Sequence, residues 1–317
     1  MLTAGNETMK FPDARDYQIL FLALFLFLGI STRDWTLRWD VMSVAIISCC
    51  TTQLLFSLFV SPWMSRRLQK TRSDLSPPAS SHPKRDRFIQ SLSSLRSALI
   101  TALGLCLLLR ANEPATMAIA GCLAIASKFL FRVRGKHFFN PANFGIIAAL
   151  LLTSDAWVSP GQWGTDWWYL LLFAGTGGMV LQKVGRWDTS AAFFAAYAGL
   201  EAIRNLWLGQ GWDVWAHHLT SGSLLLFALF MLTDPRSIPN ARIARLLWAV
   251  AIAGLAFVLQ HQLYLSTAIF WALFLLSPMT IVLDSVWEAP RFSWQGVRRR
   301  FVGFGVRNSE FGIRKWG

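Results

Sequence analysis

The residues of this chain best suited to chemistry stand in two short motifs. KHFFNPANFGI, residues 136–146, places a lysine, two asparagines, a proline and a glycine at the mouth of a hydrophobic run. Asn140 is positioned to cap a helix, Pro141 to fill its first position, and Asn143 and Gly145 fall in the turns that follow. A capped helix start offers free backbone N–H groups and the positive end of the helix dipole to an anionic or polar ligand. Lys136 and Arg134 add charge of the same sign. MLTDPRSIPN, residues 231–240, ends another apolar run with Thr233, Asp234, Pro235 and Ser237. An Asp-Pro step followed by Ser and a second Pro fixes a tight turn whose side chains are held in place. Taken singly, each motif also has a plain structural reading, as a helix cap and a helix stop.

The elements that must position these motifs are membrane spans. The chain has 317 residues, 54% of them hydrophobic and 15% charged, with 16 Trp and 24 Phe, and this is too apolar for a soluble domain of its size. Ten runs approach the roughly 20 apolar residues that a span needs. They lie near 17–32, 41–60, 95–111, 116–131, 143–158, 167–183, 189–208, 219–233, 243–260 and 265–283. The run that begins at Tyr17 is expected to remain as the first anchor, because no small-residue cleavage site follows it. The expected organisation is a terminus over 1–16, an all-α transmembrane domain of about ten helices over 17–284 and a basic amphipathic tail over 285–317. A Pro/Ser-rich basic loop fills 61–94.

The net charge of +13 reads as topology and not as affinity for nucleic acid. With ten spans, 26 of the 30 Lys and Arg residues fall on the side shared by the termini, which predicts cytoplasmic termini in the inner membrane. Both motifs then face the cytoplasm, as does Lys183 at the end of the sixth run. The aromatic and basic tail is expected to lie on anionic headgroups. Cys49, Cys50, Cys106 and Cys122 form no metal-binding spacing, and the five histidines suit no haem. Glu201 and Arg204, three residues apart in the seventh run, are placed to pair on one helix face, with an ion or proton pathway as the alternative reading. Gly175, Gly177 and Gly178 allow a close helix crossing or a ligand's approach.

FNPANFG together with LTSGSLLLFALFMLTDPRSIP resembles the paired signatures of the RnfD and NqrB family of membrane proteins. PDARDYQI and the overall length are more similar to its shorter, UnbU-like branch. The resemblance implies ten spans in two inverted five-helix repeats, the urea-transporter-like architecture. It also implies electron transfer by flavins, one esterified to a loop threonine and one held non-covalently nearer the cytoplasm. The sequence departs from the family here. The loop between the fifth and sixth runs is short and lacks the Ser-x-Ala before its one threonine, Thr165, while Ser221 and Gly222 keep only part of the second signature. Covalent FMN is therefore not expected, and a non-covalent riboflavin or FMN is.

Two functional classes follow. In the first, the chain is a redox subunit that holds flavin between the two motifs and exchanges electrons with partner proteins, with ion movement as a coupled option. Ligand contacts are then expected from Lys136, Asn140, Pro141, Asn143, Gly145, Lys183, Ser221, Gly222, Thr233, Asp234, Pro235 and Ser237. In the second, the same fold passes a small solute or ion without a cofactor, or anchors other proteins. No iron–sulfur cysteine set or dinucleotide fingerprint is present, so a redox path must continue in other subunits.

Overall fold

The computed structural model describes residues 14–33, 38–60, 83–159 and 167–292. Thr165, most of the 61–94 loop, the first residues of the chain and the tail beyond Phe292 lie outside them. The first half holds α1 (Ala14–Arg33), α2 (Trp39–Leu55, continued as a π-helical turn over Phe56–Val60), α3 (Pro83–Leu108), α4 (Pro114–Leu130) and α5 (Pro141–Leu152). The second holds α6 (Trp167–Val184), α7 (Trp187–Trp207), α8 (Trp212–Leu219), α9 (Gly222–Leu226, continued as a π-helix over Phe227–Met231), α10 (Arg242–Gln262), α11 (Ala268–Leu276) and α12 (Met279–Val286). Each of the ten expected runs falls on a helical element. Among the described residues, three helices are long and apolar enough to cross a membrane, or five if each bent pair is one span.

The departures from the expected runs have local causes. The expected third and fifth runs end as strands, because β1 (Leu109–Ala111) pairs antiparallel with β4 (Ala156–Val158). Thr153 turns extended after donating to Ala149 O, and Thr, Ser and Asp in succession favour leaving a helix. Asp155 then accepts hydrogen bonds from Asn112 N, Glu113 N and Thr116 Oγ1, which holds the two strands' flanks together. A second ribbon, β2 (Arg132–Val133) with β3 (Lys136–His137), precedes α5. With 12 residues, α5 is about 18 Å long, well short of the roughly 30 Å hydrocarbon core. The eighth run gains α8, set at 48° to α9, and the tenth is broken by 48° between α11 and α12, where Pro278 cannot donate to the helix ladder.

The halves pack in the same order. In the first, α1 lies on α3, α2 on α3 and α4, and α4 on α5; in the second, α6 lies on the π-helical end of α9, α7 on that end and on α10, and α10 on α11. Contacts of α1 with α6 and of α5 with α11 join them, the former through Phe25 stacked on Phe173 at 4.2 Å with both rings fully buried. Trp39-Asp40 and Trp187-Asp188 open α2 and α7, and from there buried, half-buried and exposed positions run almost in step.

Candidate functional site

The start of α5 is built as its residue types dictate. Asn140 is extended, its Oδ1 accepts from Asn143 N at 3.0 Å, and Pro141 takes the first helical position. The remaining polar atoms reach across the bundle. Asn140 Nδ2 donates to Met231 O at 3.0 Å, where α9 ends, and Asn143 Nδ2 donates to Phe270 O at 3.1 Å on α11. Lys136 Nζ donates to Ile238 O at 2.5 Å and pairs with Asp284 at 2.6 Å, while Asp284 accepts from Asn240 N at 2.7 Å. The two motifs therefore interlock directly, and α12 supplies the carboxylate between them.

The Asp-Pro turn is held from within. Asp234 O accepts from Ser237 N and Oγ, Asp234 Oδ1 accepts from Arg236 N, and Thr233 Oγ1 donates to Leu229 O. His137 Nε2 lies 3.6 Å from Asp234 Oδ2. Burial works against the Asp234 carboxylate, but the nearby His137 ring, the hydrogen bond from Arg236 N and the Arg236 charge outweigh it and hold the carboxyl below its usual value. Burial also lowers His137, and the pull of Asp234 does not make up the difference. Unfolded His137 would take a proton near pH 6.5, about its free value, before the folded form does, so stability is full above that pH and falls as pH drops below it. We expect the melting midpoint to fall on acidification from neutrality, and His137→Gln to flatten the slope; an unchanged slope would contradict this assignment.

Of the twelve expected site residues, Lys136, Asn140, Pro141, Asn143, Thr233, Asp234, Pro235 and Ser237 come together at this seam. Four do not join it. Gly145 lies at the α4 crossing, where a Cβ would stand 2.6 Å from Ala120 O. Ser221 and Gly222 begin α9, roughly 15 Å from the Asp-Pro turn by helix rise. Lys183 sits over the Tyr17 ring at 4.3 Å. Among the other residues singled out in the sequence, Gly177 serves helix contact, since a Cβ there would meet Leu229 at 2.8 Å, and Gly175 and Gly178 face open space.

Sequence reasoning missed the partners. Asp284, a lone carboxylate inside an apolar stretch, was the available signal for the Lys136 pair. Lys128, buried at 6% exposure, donates to Gln53 Oε1 at 3.3 Å, and Gln53 donates to Ser94. Asp188 pairs with Arg245 at 3.0 Å and Arg242 at 3.2 Å. The expected Glu201–Arg204 pair is not formed: Glu201 faces His261 at 2.7 Å and His218 at 3.7 Å.

Among the described residues, a buried acceptor at the start of α5 is left without a partner. Asn143 is 1% exposed, and its Oδ1 accepts no hydrogen bond. Beside it Phe139 stacks on Phe274 at 5.0 Å, with Phe144 and Phe131 edge-on or tilted against Phe139 and each other. A polar seam edged by aromatic rings and ending in a half-buried carboxylate suits a flat heteroaromatic ligand with hydrogen-bond donors.

Fold and site together define a helical membrane protein whose two polar motifs meet at one end of the bundle. Residues 156–293 match the NQR2, RnfD, RnfE family, a stretch that includes MLTDPRSIPN and begins after KHFFNPANFGI. The chain is similar to the D subunit of the ion-translocating oxidoreductase complex of Stutzerimonas stutzeri, 28% identical over 147 residues, covering 46% of this chain and 39% of that protein. It is also similar to the protein of the same name from Tolumonas auensis, 25% identical over 125 residues, covering 39% of this chain and 36% of that protein. The matched stretch thus spans less than half the length of either relative.

Proposed function

We propose that this chain is a membrane electron-transfer subunit that holds a flavin non-covalently at the seam between α5 and the Asp-Pro turn, and passes electrons to or from partner proteins. The observation that carries the reading is the buried, unpartnered Asn143 Oδ1 beside the two interlocked motifs. The match to the NQR2, RnfD, RnfE family and the names of the two relatives support the same class. The donor set fits the group: Asn143 Oδ1 and the Asp234 carboxylate are acceptors suited to the ring N–H and ribityl hydroxyls, and the exposed Arg236 can face a reduced, anionic ring. Flavin, when bound, supplies one- and two-electron transfer. Lys136 has a different role from the one its sequence position suggested, because Asp284 already neutralises it.

The repeated packing order of the two halves supports ten spans in two inverted repeats, and the shorter UnbU-like branch suits the missing flavinylation threonine. With Asn140 bonded to the end of α9 and Arg245 to the start of α7, the basic residues of 128–136 and 236–245 gather at one end among the described residues, which supports cytoplasmic termini in the inner membrane. Reporter fusions at residues 75 and 317 should both report the cytoplasm; periplasmic activity at either would overturn the orientation. The short α5 and the two bent helix pairs also suit a solute path between repeats. The absorbance spectrum of the purified protein separates the readings, since flavin bands that vanish into the filtrate on denaturation belong only to the redox subunit.

A further inference from the structure

At the end of α7 away from the seam, a buried carboxylate is balanced, among the described residues, by groups that can lose their charge. Glu201 is 4% exposed, and its Oε1 lies 2.7 Å from His261 Nε2 on α10 while its Oε2 lies 3.7 Å from His218 Nδ1 on α8. The His261 side chain is 10% exposed and that of His218 33%, so the cluster grades from a closed interior to the molecular surface. Tyr197, one turn earlier on α7, faces Glu201 and donates to Gln260 at 2.7 Å, and the Phe257 ring lies 4.6 Å from that of His261. Among the described residues, the other charged or titratable groups at this end of these helices and in the turn after α10 are Arg204 on α7, half-buried, Asp213 and His217 on α8, both exposed, and the exposed Tyr264.

The choice of partner is informative. An ionised carboxylate at this depth requires a counter-charge, and Arg204, a permanent cation three residues along the same helix, does not supply it. Imidazole supplies it instead, and imidazole changes charge near neutrality. The matching step of α2 makes the contrast sharper. Counted from the shared Trp-Asp, Gln53 occupies the position of Glu201, and it is met by Lys128 near the end of α4 much as Glu201 is met by His261 near the end of α10. One end of the fold pairs a lysine with a neutral amide, and the other pairs a carboxylate with two imidazole rings.

We propose that Glu201, His261 and His218 form a proton-binding site, open to water through His218, at the end of the bundle opposite the two motifs. The inference stands on this cluster alone and does not depend on flavin. In the less protonated state one proton lies in the bond between Glu201 Oε1 and His261 Nε2. On acidification a second, taken from water, settles on His218 beside Oε2. Because the groups share a charge, the two steps belong to the cluster and not to single residues.

The test is a pH titration of the full-length protein in detergent, with its five histidines labelled with nitrogen-15 and assigned by single His→Gln variants. Wild type should show one uptake step sensed by both the His218 and the His261 ring, and Glu201→Gln should move that step to lower pH, with His137 unmoved. Midpoints that stay in place in a folded Glu201→Gln would overturn the proposal, as would imidazoles that remain charged across the whole range. If Glu201→Gln fails to fold, His261→Gln replaces it: the carboxylate, left without its nearer partner, should move His218 uptake to higher pH, and an unmoved step would be equally contrary.

Discussion

Arg245→Met should be the most damaging of the single substitutions considered, lowering stability by about 3 kcal/mol or more, the cost of leaving one member of a buried ion pair unmatched. Asp188 is 8% and Arg245 5% exposed. The guanidinium also donates to Asn240 O at 2.7 Å, so it fastens the start of α10 to the start of α7 and to the loop after the Asp-Pro turn. Arg242, the other partner of Asp188, has a side chain 68% exposed and recovers little, since solvent-facing pairs contribute about 0–1 kcal/mol. The position of Asp188 in the first turn of α7 gives the stranded carboxylate some relief from the helix dipole. Denaturant or thermal unfolding followed by Trp fluorescence measures the loss. Asp188→Asn combined with Arg245→Met should recover a large part of it, because the double variant leaves no uncompensated charge; a loss below about 1 kcal/mol in the single variant would mean the pair is solvated.

Lys136→Met should follow closely, at roughly 3 kcal/mol, the low end of the range for breaking a buried pair. The side chains of Lys136 and Asp284 are 14% and 18% exposed, so water softens the cost without removing it. Burial pulls the Lys136 ammonium down while Asp284 pulls it back up, as expected of a cation whose main role is to match that carboxylate. Lys136→Met with Asp284→Leu should be more stable than Lys136→Met alone. The same variants assign a role to Lys136: if it served the ligand, Lys136→Met would weaken flavin binding with little change in stability. We expect the opposite weighting.

What could be read from the sequence was what depends on neighbours in the chain. Asn140 as a cap and Pro141 as a first helical residue follow from local backbone geometry, and both are found. The meeting of the two motifs followed from counting apolar runs, which fixes the end of the bundle at which each emerges. Partner choice was not legible. Nothing near Lys136 in sequence indicates Asp284, and Glu201 had Arg204 at ideal helical spacing yet turned to His261, because the α7–α10 crossing puts the imidazole on its buried face while Arg204 lies half outside. The bends were half legible: Pro278 stood in view, but averaging hydropathy over a run conceals a break within it. The strands β1 and β4 were hidden for a related reason, since Leu, Ala, Trp and Val satisfy an apolar run whether they are helical or extended.

The measurement closest to the central claim is a fluorescence titration of the purified, flavin-stripped protein with riboflavin and with FMN, on wild type, Asn143→Ala, Asp234→Ala and the double variant, with unfolding followed in parallel. Asn140→Ala serves as the structural control, since its bonds to Asn143 N and Met231 O are already made within the protein. The account predicts saturable, non-covalent binding, released on denaturation. Each single variant should lose about 1.5–3 kcal/mol of binding, roughly tenfold to hundredfold in affinity, and the double variant should depart from additivity by about 0.5 kcal/mol or more. Absence of flavin binding by the folded wild type, or affinities unchanged in the Asn143 and Asp234 variants while only stability falls, would contradict it and leave the seam as a structural clasp between the two halves.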